Sequence, residues 1–233
     1  MARLPRIQLT NIPQHIIQRG NNRNFCFAAE QDFATYVHWL TEYSKKHCVD
    51  IHAWILMTNH VHLLCTPKAI SLLMQSLGRR YVPYFNHKYR RTGTLWEGRF
   101  KSCLIEDVSY LLQVYKYIEL NPVRASMVAK PSEYVWSSYQ INALGKQSDL
   151  CTPHSVYLDL GANSLERQET YRSLFKHHID SVLIEDIRLS LNKGLALGSE
   201  RFKSKIEQSC GRRVREAKLG RPLSSGKKQT VEI

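Results

Sequence analysis

The chain is 233 residues long with a formal net charge of +13, and hydrophobic residues make up 43% of it. That composition supports one full domain and a smaller second unit, and excludes global disorder. The charge is concentrated: Arg79 to Lys101 carries seven Lys/Arg against one Glu, and Arg201 to Lys228 ten against two, which leaves the remainder close to neutral. Two basic patches point to a polyanion, nucleic acid ahead of a membrane.

The six cysteines are scattered, with no Cys-x-x-Cys pair. This argues against a zinc ribbon or a disulfide framework and fits a reducing compartment. No apolar run approaches the roughly 18 residues that span a bilayer. The start, Met1-Ala2-Arg3-Leu4-Pro5-Arg6, leads into no apolar signal region. The expectation is a cytoplasmic, nucleoid-associated protein with no membrane partner.

Gln14 to Arg19 alternates apolar and polar residues, the pattern of a half-buried strand, and Gly20-Asn21-Asn22 breaks it. Residues 28–47 place Phe33, Tyr36, Val37, Leu40 and Tyr43 on one helical stripe. Ile51 to Leu56 reads as a strand, with Thr58-Asn59 as a hairpin turn that lacks the preferred glycine. The next strand contains His60-Val61-His62-Leu63-Leu64-Cys65. Residues 69–89 form a second helix, in which Pro83 predicts a kink or interruption. A short strand at 102–105 and a third helix at 109–120 follow.

The first six elements match the split β-α-β order of an α+β, ferredoxin-like fold, an antiparallel sheet with helices on one face. A smaller, helical and basic C-terminal region follows, with a helical segment from about Asn163 to Gly194 and a basic helix from Ser199 to Gln208. The expected organisation is a domain at 1–130, a connector at 131–147, a helical DNA-binding region at 148–210, and a basic, disordered tail at 211–233.

On a strand, alternate side chains share a face, so His60 and His62 point the same way, about 7 Å apart, and can grip a metal ion from one side. On the third helix Leu111, Tyr115 and Ile118 share the core stripe. Tyr117 falls off that stripe, beside Gln113, Val114 and Asn121, where a reactive side chain can face a cleft. Asn121 precedes Pro122, so a helix-terminating Asn-Pro turn is an alternative to a ligand role, and one residue can serve both.

Arg79, Arg80, Lys88, Arg90 and Arg91 interleave with Tyr81, Tyr84, Phe85 and Tyr89, and Trp96 and Arg99 follow. Cations among aromatics suit a groove for single-stranded DNA. The alternative is that the aromatics face the core. The second patch, with Arg212, Arg213 and Arg221, reads as a cationic C-terminal end that adds nonspecific affinity. Within it, Leu219-Gly220-Arg221-Pro222 matches the Gly-Arg-Pro core of minor-groove hooks.

Three ordered motifs carry a family resemblance: Met57-Thr58-Asn59-His60-Val61-His62-Leu63-Leu64, then Trp96-Glu97-Gly98-Arg99-Phe100, then Tyr117-Ile118-Glu119-Leu120-Asn121-Pro122-Val123-Arg124-Ala125. Over residues 10–130 the chain resembles the REP-associated tyrosine transposases, a branch of the single-tyrosine HUH (His-hydrophobic-His) transposases. The resemblance implies an HUH nuclease core in which His60, His62 and Asn121 hold Mg²⁺ or Mn²⁺ and Tyr117 is the nucleophile. It implies cleavage and strand transfer on palindromic repeats that fold into single-stranded hairpins, by a monomer or a homodimer. Two rivals stand beside this reading: an HUH replication or mobilisation initiator, and a catalytically silent DNA-binding regulator.

Overall fold

The computed structural model describes residues 6–7, 9–106 and 110–216. A five-stranded sheet in the order β2-β3-β1-β4-β5 organises the molecule. β1 (Gln14–Arg19), β2 (Val49–Met57), β3 (His60–Pro67) and β4 (Lys101–Ile105) pair antiparallel with one another in that order of the sheet. α1 (Glu30–Lys46) and α2 (Ile70–Lys88) lie between the strands in sequence, as the ferredoxin-like order requires.

The period-two alternation of the strands divides the core into two layers. Ile16, Val61, Leu63 and Cys65 face α1 and α2 and pack against Tyr36, Leu40, Leu73, Leu77 and Tyr81. Ile17, Ile55, Leu64 and Cys103 face the other way, against α3 (Leu111–Glu119). This second face is closed by the C-terminal half: α4 (Asn121–Arg124), α5 (Tyr139–Asn142), α6 (Ser155–Leu158), α7 (Ser164–Leu174) and α8 (Ser181–Lys193). β5 (Ala196–Leu197) then pairs parallel with Leu104 and Ile105 at the end of β4, and α9 (Glu200–Cys210) packs Ile206 beside Leu104.

Several expectations change for physical reasons. β1 is buried on both faces, not half-buried, because it is central and both layers cover it. Its polar residues Gln14, His15 and Gln18 are therefore interior. α2 runs through Pro83 uninterrupted. Tyr81 and Phe85, both fully buried, anchor it on either side of the proline, so tertiary packing outweighs one missing backbone bond. The helical stretch from Asn163 to Gly194 is two helices, each with its own capping side chain at Asn163 and Asp180.

Residues 131–147 are stitched into the core and do not hang as a connector. The Ser138 amide donates to the Trp54 carbonyl (2.9 Å) and the Tyr134 hydroxyl to the Leu56 carbonyl (2.6 Å). Of the tail expected at 211–233, residues 211–216 are placed, with Val214 fully buried beside Ile206. The rest, with Arg221 and the Gly-Arg-Pro segment, lies outside the described residues.

The glycine-free hairpin turn is held by the chain around it. Gly20 N–H donates to the Asn59 carbonyl, and the Cys26 and Phe27 amides to the Thr58 carbonyl. Gly20 is required there by close approach: a Cβ would sit 2.2 Å from the Asn24 carbonyl oxygen. All six cysteines are free thiols. Among the described residues no helix is long and apolar enough to cross a membrane.

Candidate active site

His60 and His62 project from β3 toward α3, with ring centroids 5.0 Å apart and planes nearly perpendicular. His60 Nδ1 lies 2.6 Å from Asn59 Oδ1, and the Asn59 amide is oriented by its donation to the Arg23 carbonyl. An amide oxygen only accepts, so His60 carries its proton on Nδ1 and keeps the Nε2 lone pair for a ligand. His62 Nδ1 lies 2.8 Å from Nε2 of His15, which is fully buried on β1 and stacks on His62. His15 is a member of the site that its place in an apparently amphipathic strand conceals.

Burial first, then the Arg124 guanidinium, lowers the His15 pKa to about 3. Burial, Arg19 and Arg124 lower His60 to about 4. Burial and the neighbouring imidazoles hold His62 well below its ordinary value. All three rings are neutral near pH 7, the form in which imidazole binds a metal.

Tyr117 stands edge-on to His62 at 6.0 Å and to His15 at 5.7 Å between ring centroids. The structure thus brings His60, His62 and Tyr117 together, but not across an open cleft. Tyr117 is only 4% exposed, and the Arg124 guanidinium lies over its ring at 4.1 Å. Every residue from Val114 to Glu119 is buried, because the sheet covers one side of α3 and the C-terminal half closes round the rest. Tyr115 is core, as its stripe implies, with its ring against Tyr157 and Tyr171.

Asn121 performs the helix-ending role. Its Nδ2 donates to the Tyr117 and Ile118 carbonyls (3.1 and 3.0 Å), and its Oδ1 accepts from Arg124 Nη2 (3.0 Å). That leaves one Oδ1 lone pair for a further partner. Burial lowers the Arg124 pKa from its ordinary value, opposed by attraction to the Tyr117 phenol. Arg124 Nη1 is buried without a hydrogen-bond partner among the described residues. Two imidazole nitrogens and one amide oxygen suit a divalent ion, with Mn²⁺ tolerating the softer nitrogens better than Mg²⁺.

Glu119, inside the same motif, points away from this site. It is fully buried and accepts from Ser138 (2.5 Å), Tyr171 (2.8 Å) and Asn142 (3.1 Å). Burial raises its pKa to about 7, against the lowering effect of those three bonds.

The basic residues separate. Arg79, Arg80 and Lys88 belong to α2, behind the sheet and opposite the histidines. Arg79 and Arg80 are exposed, and Arg80 lies 5.4 Å from the Trp39 ring. Lys88 is committed to buried Asp32 (2.6 Å). Arg90 is exposed in the following turn, and Arg91 lies over the Phe85 ring at 5.6 Å. Trp96, expected as a stacking platform, is buried against Tyr36 and Tyr81. Tyr81 and Phe85 also face the core. Arg213 is exposed and donates to the Glu216 carbonyl (2.6 Å). Arg99 and Arg212, from the two separate basic windows of the sequence, line one cavity.

Fold and site together define a class of protein: a ferredoxin-like sheet that presents a His-hydrophobic-His pair to a tyrosine-bearing helix on the same face. Residues 8–121 match the family model described as transposase IS200 like. A solved structure described as a REP-associated tyrosine transposase bound to a REP hairpin is similar in fold, with a TM-score of 0.53 at 17% identity. The match covers 66% of this chain and 93% of that one. A putative transposase from Deinococcus radiodurans R1 is 21% identical with a TM-score of 0.35, over 51% of this chain and 96% of that one. No curated protein matches the chain.

Proposed function

We propose that the protein is a metal-dependent endonuclease and strand transferase for single-stranded DNA, acting beside hairpin-forming palindromic repeats as a REP-associated tyrosine transposase. The observation that carries this reading is the edge-on approach of Tyr117 to His62. It is supported by the match of residues 8–121 to the IS200-like transposase model and by the hairpin carried by the solved structure of similar fold.

A divalent ion, Mg²⁺ or Mn²⁺, on His60, His62 and Asn121 would supply Lewis-acid polarisation of the scissile phosphate. The chain supplies the rest. The Asn59 and His15 contacts hold the two imidazoles in place. Tyr117 Oη attacks the phosphorus, so a Tyr O–P bond forms as the P–O3′ bond breaks. The phenol loses its proton to solvent, and the departing 3′ oxygen takes one up to become a free 3′-OH. Attack by another 3′-OH on the phosphotyrosine reverses these changes and joins strands without ATP.

Arg124 has two parts in this reading. Its guanidinium is a cation beside the site of attack, able to pair with a phosphate once it has left the ring. Its position also covers Tyr117, so the guanidinium must swing off the ring before DNA enters. The covered tyrosine is equally the observation that favours the rival, a silent binder of hairpins.

One experiment separates them. Labelled hairpin DNA with a single-stranded extension is incubated with Mn²⁺ and run on a denaturing gel. Wild type and Tyr115→Phe form a covalent adduct, and Tyr117→Phe forms none. An adduct with Tyr117→Phe would overturn the assignment, and none with wild type would favour the silent binder.

A further inference from the structure

α8 lies across the front of the sheet, packed on β4 and β1. Ile187 and Leu191 bury themselves in the layer that holds Tyr117 and Ile17. Asn192 fixes the C-terminal end of the helix by accepting from Lys101 Nζ (2.9 Å). Arg188 is exposed and stands one turn before Asn192 on the same side of α8. The C-terminal half thereby carries an arginine over the face on which the histidines and Tyr117 meet.

Two further arginines reach that face. Arg19 stands opposite His60 in the β1–β3 ladder, where paired residues share one side of the sheet. Arg124 covers the Tyr117 ring at 4.1 Å and keeps Nη1 unpartnered among the described residues. The three charges are close enough to act on the site and on one another. Arg19 and Arg124 add to burial in holding His60 and His62 low. Burial lowers the Arg124 pKa, the Tyr117 phenol opposes this, and Arg188 lowers it again.

No carboxylate answers these cations. The Glu97 amide donates to the Arg19 carbonyl and Glu185 lies one turn before Arg188, yet neither arginine makes an ion pair among the described residues. Like charges gathered without a counter-ion repel, and an anion placed between them relieves the repulsion. The anion the site must handle is a phosphodiester, which gains negative charge on its non-bridging oxygens as the phenol oxygen adds.

We propose that Arg188 of α8 and Arg19 of β1 join Arg124 in a clamp on the non-bridging oxygens of the phosphate that Tyr117 attacks. The clamp rests on the proposed function and names the groups, besides the metal ligands, that hold the scissile phosphate. It makes the C-terminal half part of the catalytic centre, beyond its task of closing the core. Guanidinium forks suit this task because each can pair with two phosphate oxygens at once. A phosphate among the three also draws Arg124 off the tyrosine ring, since it offers the guanidinium a charged partner in place of a neutral one.

The test is a charge-against-charge cycle on the full chain, read by fluorescence anisotropy without metal. The probes are a labelled hairpin with single-stranded extensions on both sides, and copies in which each extension phosphate in turn is a neutral methylphosphonate. Wild type binds one copy about fivefold more weakly than the parent, and that step is the one joined to Tyr117 when Mn²⁺ is added. Arg188 is exposed, so its replacement leaves the fold intact. Arg188→Ala binds the parent about fivefold more weakly and no longer distinguishes that copy, while its response to the other copies is that of wild type. Arg188→Lys, which keeps the charge without the fork, recovers part of the discrimination. With Mn²⁺ and saturating parent probe, Arg188→Ala forms adduct about 10–100-fold more slowly.

A variant that responds to every copy as wild type does would overturn the clamp. So would a uniform loss at all steps, which reduces Arg188 to general electrostatics, or a coupled step other than the one cleaved. Adduct formation at the wild-type rate in Arg188→Ala, or a wild type indifferent to every copy, would overturn it as well. Coupling at one step in a wild type that forms no adduct would refute the chemistry proposed for Tyr117 and leave the phosphate clamp in place.

Discussion

Two charges set into the fold, fully buried Asp32 on one side of the sheet and half-buried Arg124 on the other, are treated in opposite ways. Behind the sheet, Asp32 accepts from the Ala28 and Ala29 amides, the Tyr84 and Tyr89 hydroxyls and the Lys88 ammonium. In front, Arg124 reaches Asn121 and the face of Tyr117 and keeps Nη1 unpartnered among the described residues. A buried charge that is fully bonded locks its surroundings; one left partly bonded is costly and retains capacity for another anion. The rear face is thereby built for rigidity, and the front face keeps unused donors around Tyr117. β3 serves both, because strand alternation sends Val61 and Leu63 to one side and His60 and His62 to the other.

The sharpest way to break this contrast is a pair of adjacent substitutions on β3. His62→Ala reduces adduct formation per folded molecule by about 100-fold or more. Leu63→Ala opens a cavity behind the sheet and lowers stability by about 2–5 kcal/mol, measured by denaturant titration. Adduct formation per folded molecule is preserved in that variant. If Leu63→Ala loses chemistry while folded, the two faces are not separable.

His15→Ala tests the front face at one remove. The His15 ring touches His62 through Nε2 and no substrate, so it is a positioning residue. Its loss weakens Mn²⁺ binding by about 10–100-fold, read by electron paramagnetic resonance titration, and leaves DNA-hairpin affinity in metal-free buffer unchanged. Unaltered Mn²⁺ affinity would remove His15 from the site.

The reach of the sequence follows the same division. Local periodicity placed β1, α1, the histidine strand and α3 within a few residues, because each signal lies within one element. The shared face of His60 and His62 is a property of any strand and was legible for the same reason. What later chain covers is not local. Tyr117 left the core stripe of its own helix, yet the residues that enclose α3 come from beyond position 120. Tyr81, Phe85 and Trp96 were indistinguishable from a stacking surface until α1 packed on them. His15 needed its partner 47 positions away before it became more than a polar residue on a strand.

Glu119 offers a smaller test, on the seam between the two halves of the chain. Its folded pKa near 7 lies above the ordinary carboxylate value, so the native state retains a proton that the unfolded chain releases. Unfolding therefore releases a proton between about pH 4.5 and 7, and stability falls as pH rises through that window. Glu119→Gln keeps an acceptor for Ser138 and Asn142, turns an amide N–H toward the Tyr171 hydroxyl, which can accept it, and removes the titration. The variant equals or exceeds wild type at pH 8, by up to about 2 kcal/mol, and its stability is flatter across that window. A decline as steep as wild type would assign the pH dependence elsewhere.

Lys88 gives the smallest effect and bears most directly on the front-and-rear division. It lies in the first basic window, which made it a candidate DNA contact, but its ammonium sits on Asp32 and its neighbours are Tyr84 and Tyr89. Lys88→Ala removes one of five bonds to a buried carboxylate, so stability falls by about 1–2 kcal/mol. If the residue is spent on structure, hairpin affinity and its salt slope stay at wild-type values. A DNA-contacting lysine would instead lower the salt slope by about 1. A lowered slope in a folded Lys88→Ala protein would mean that DNA also runs behind the sheet, and the rear face could no longer be assigned to packing alone.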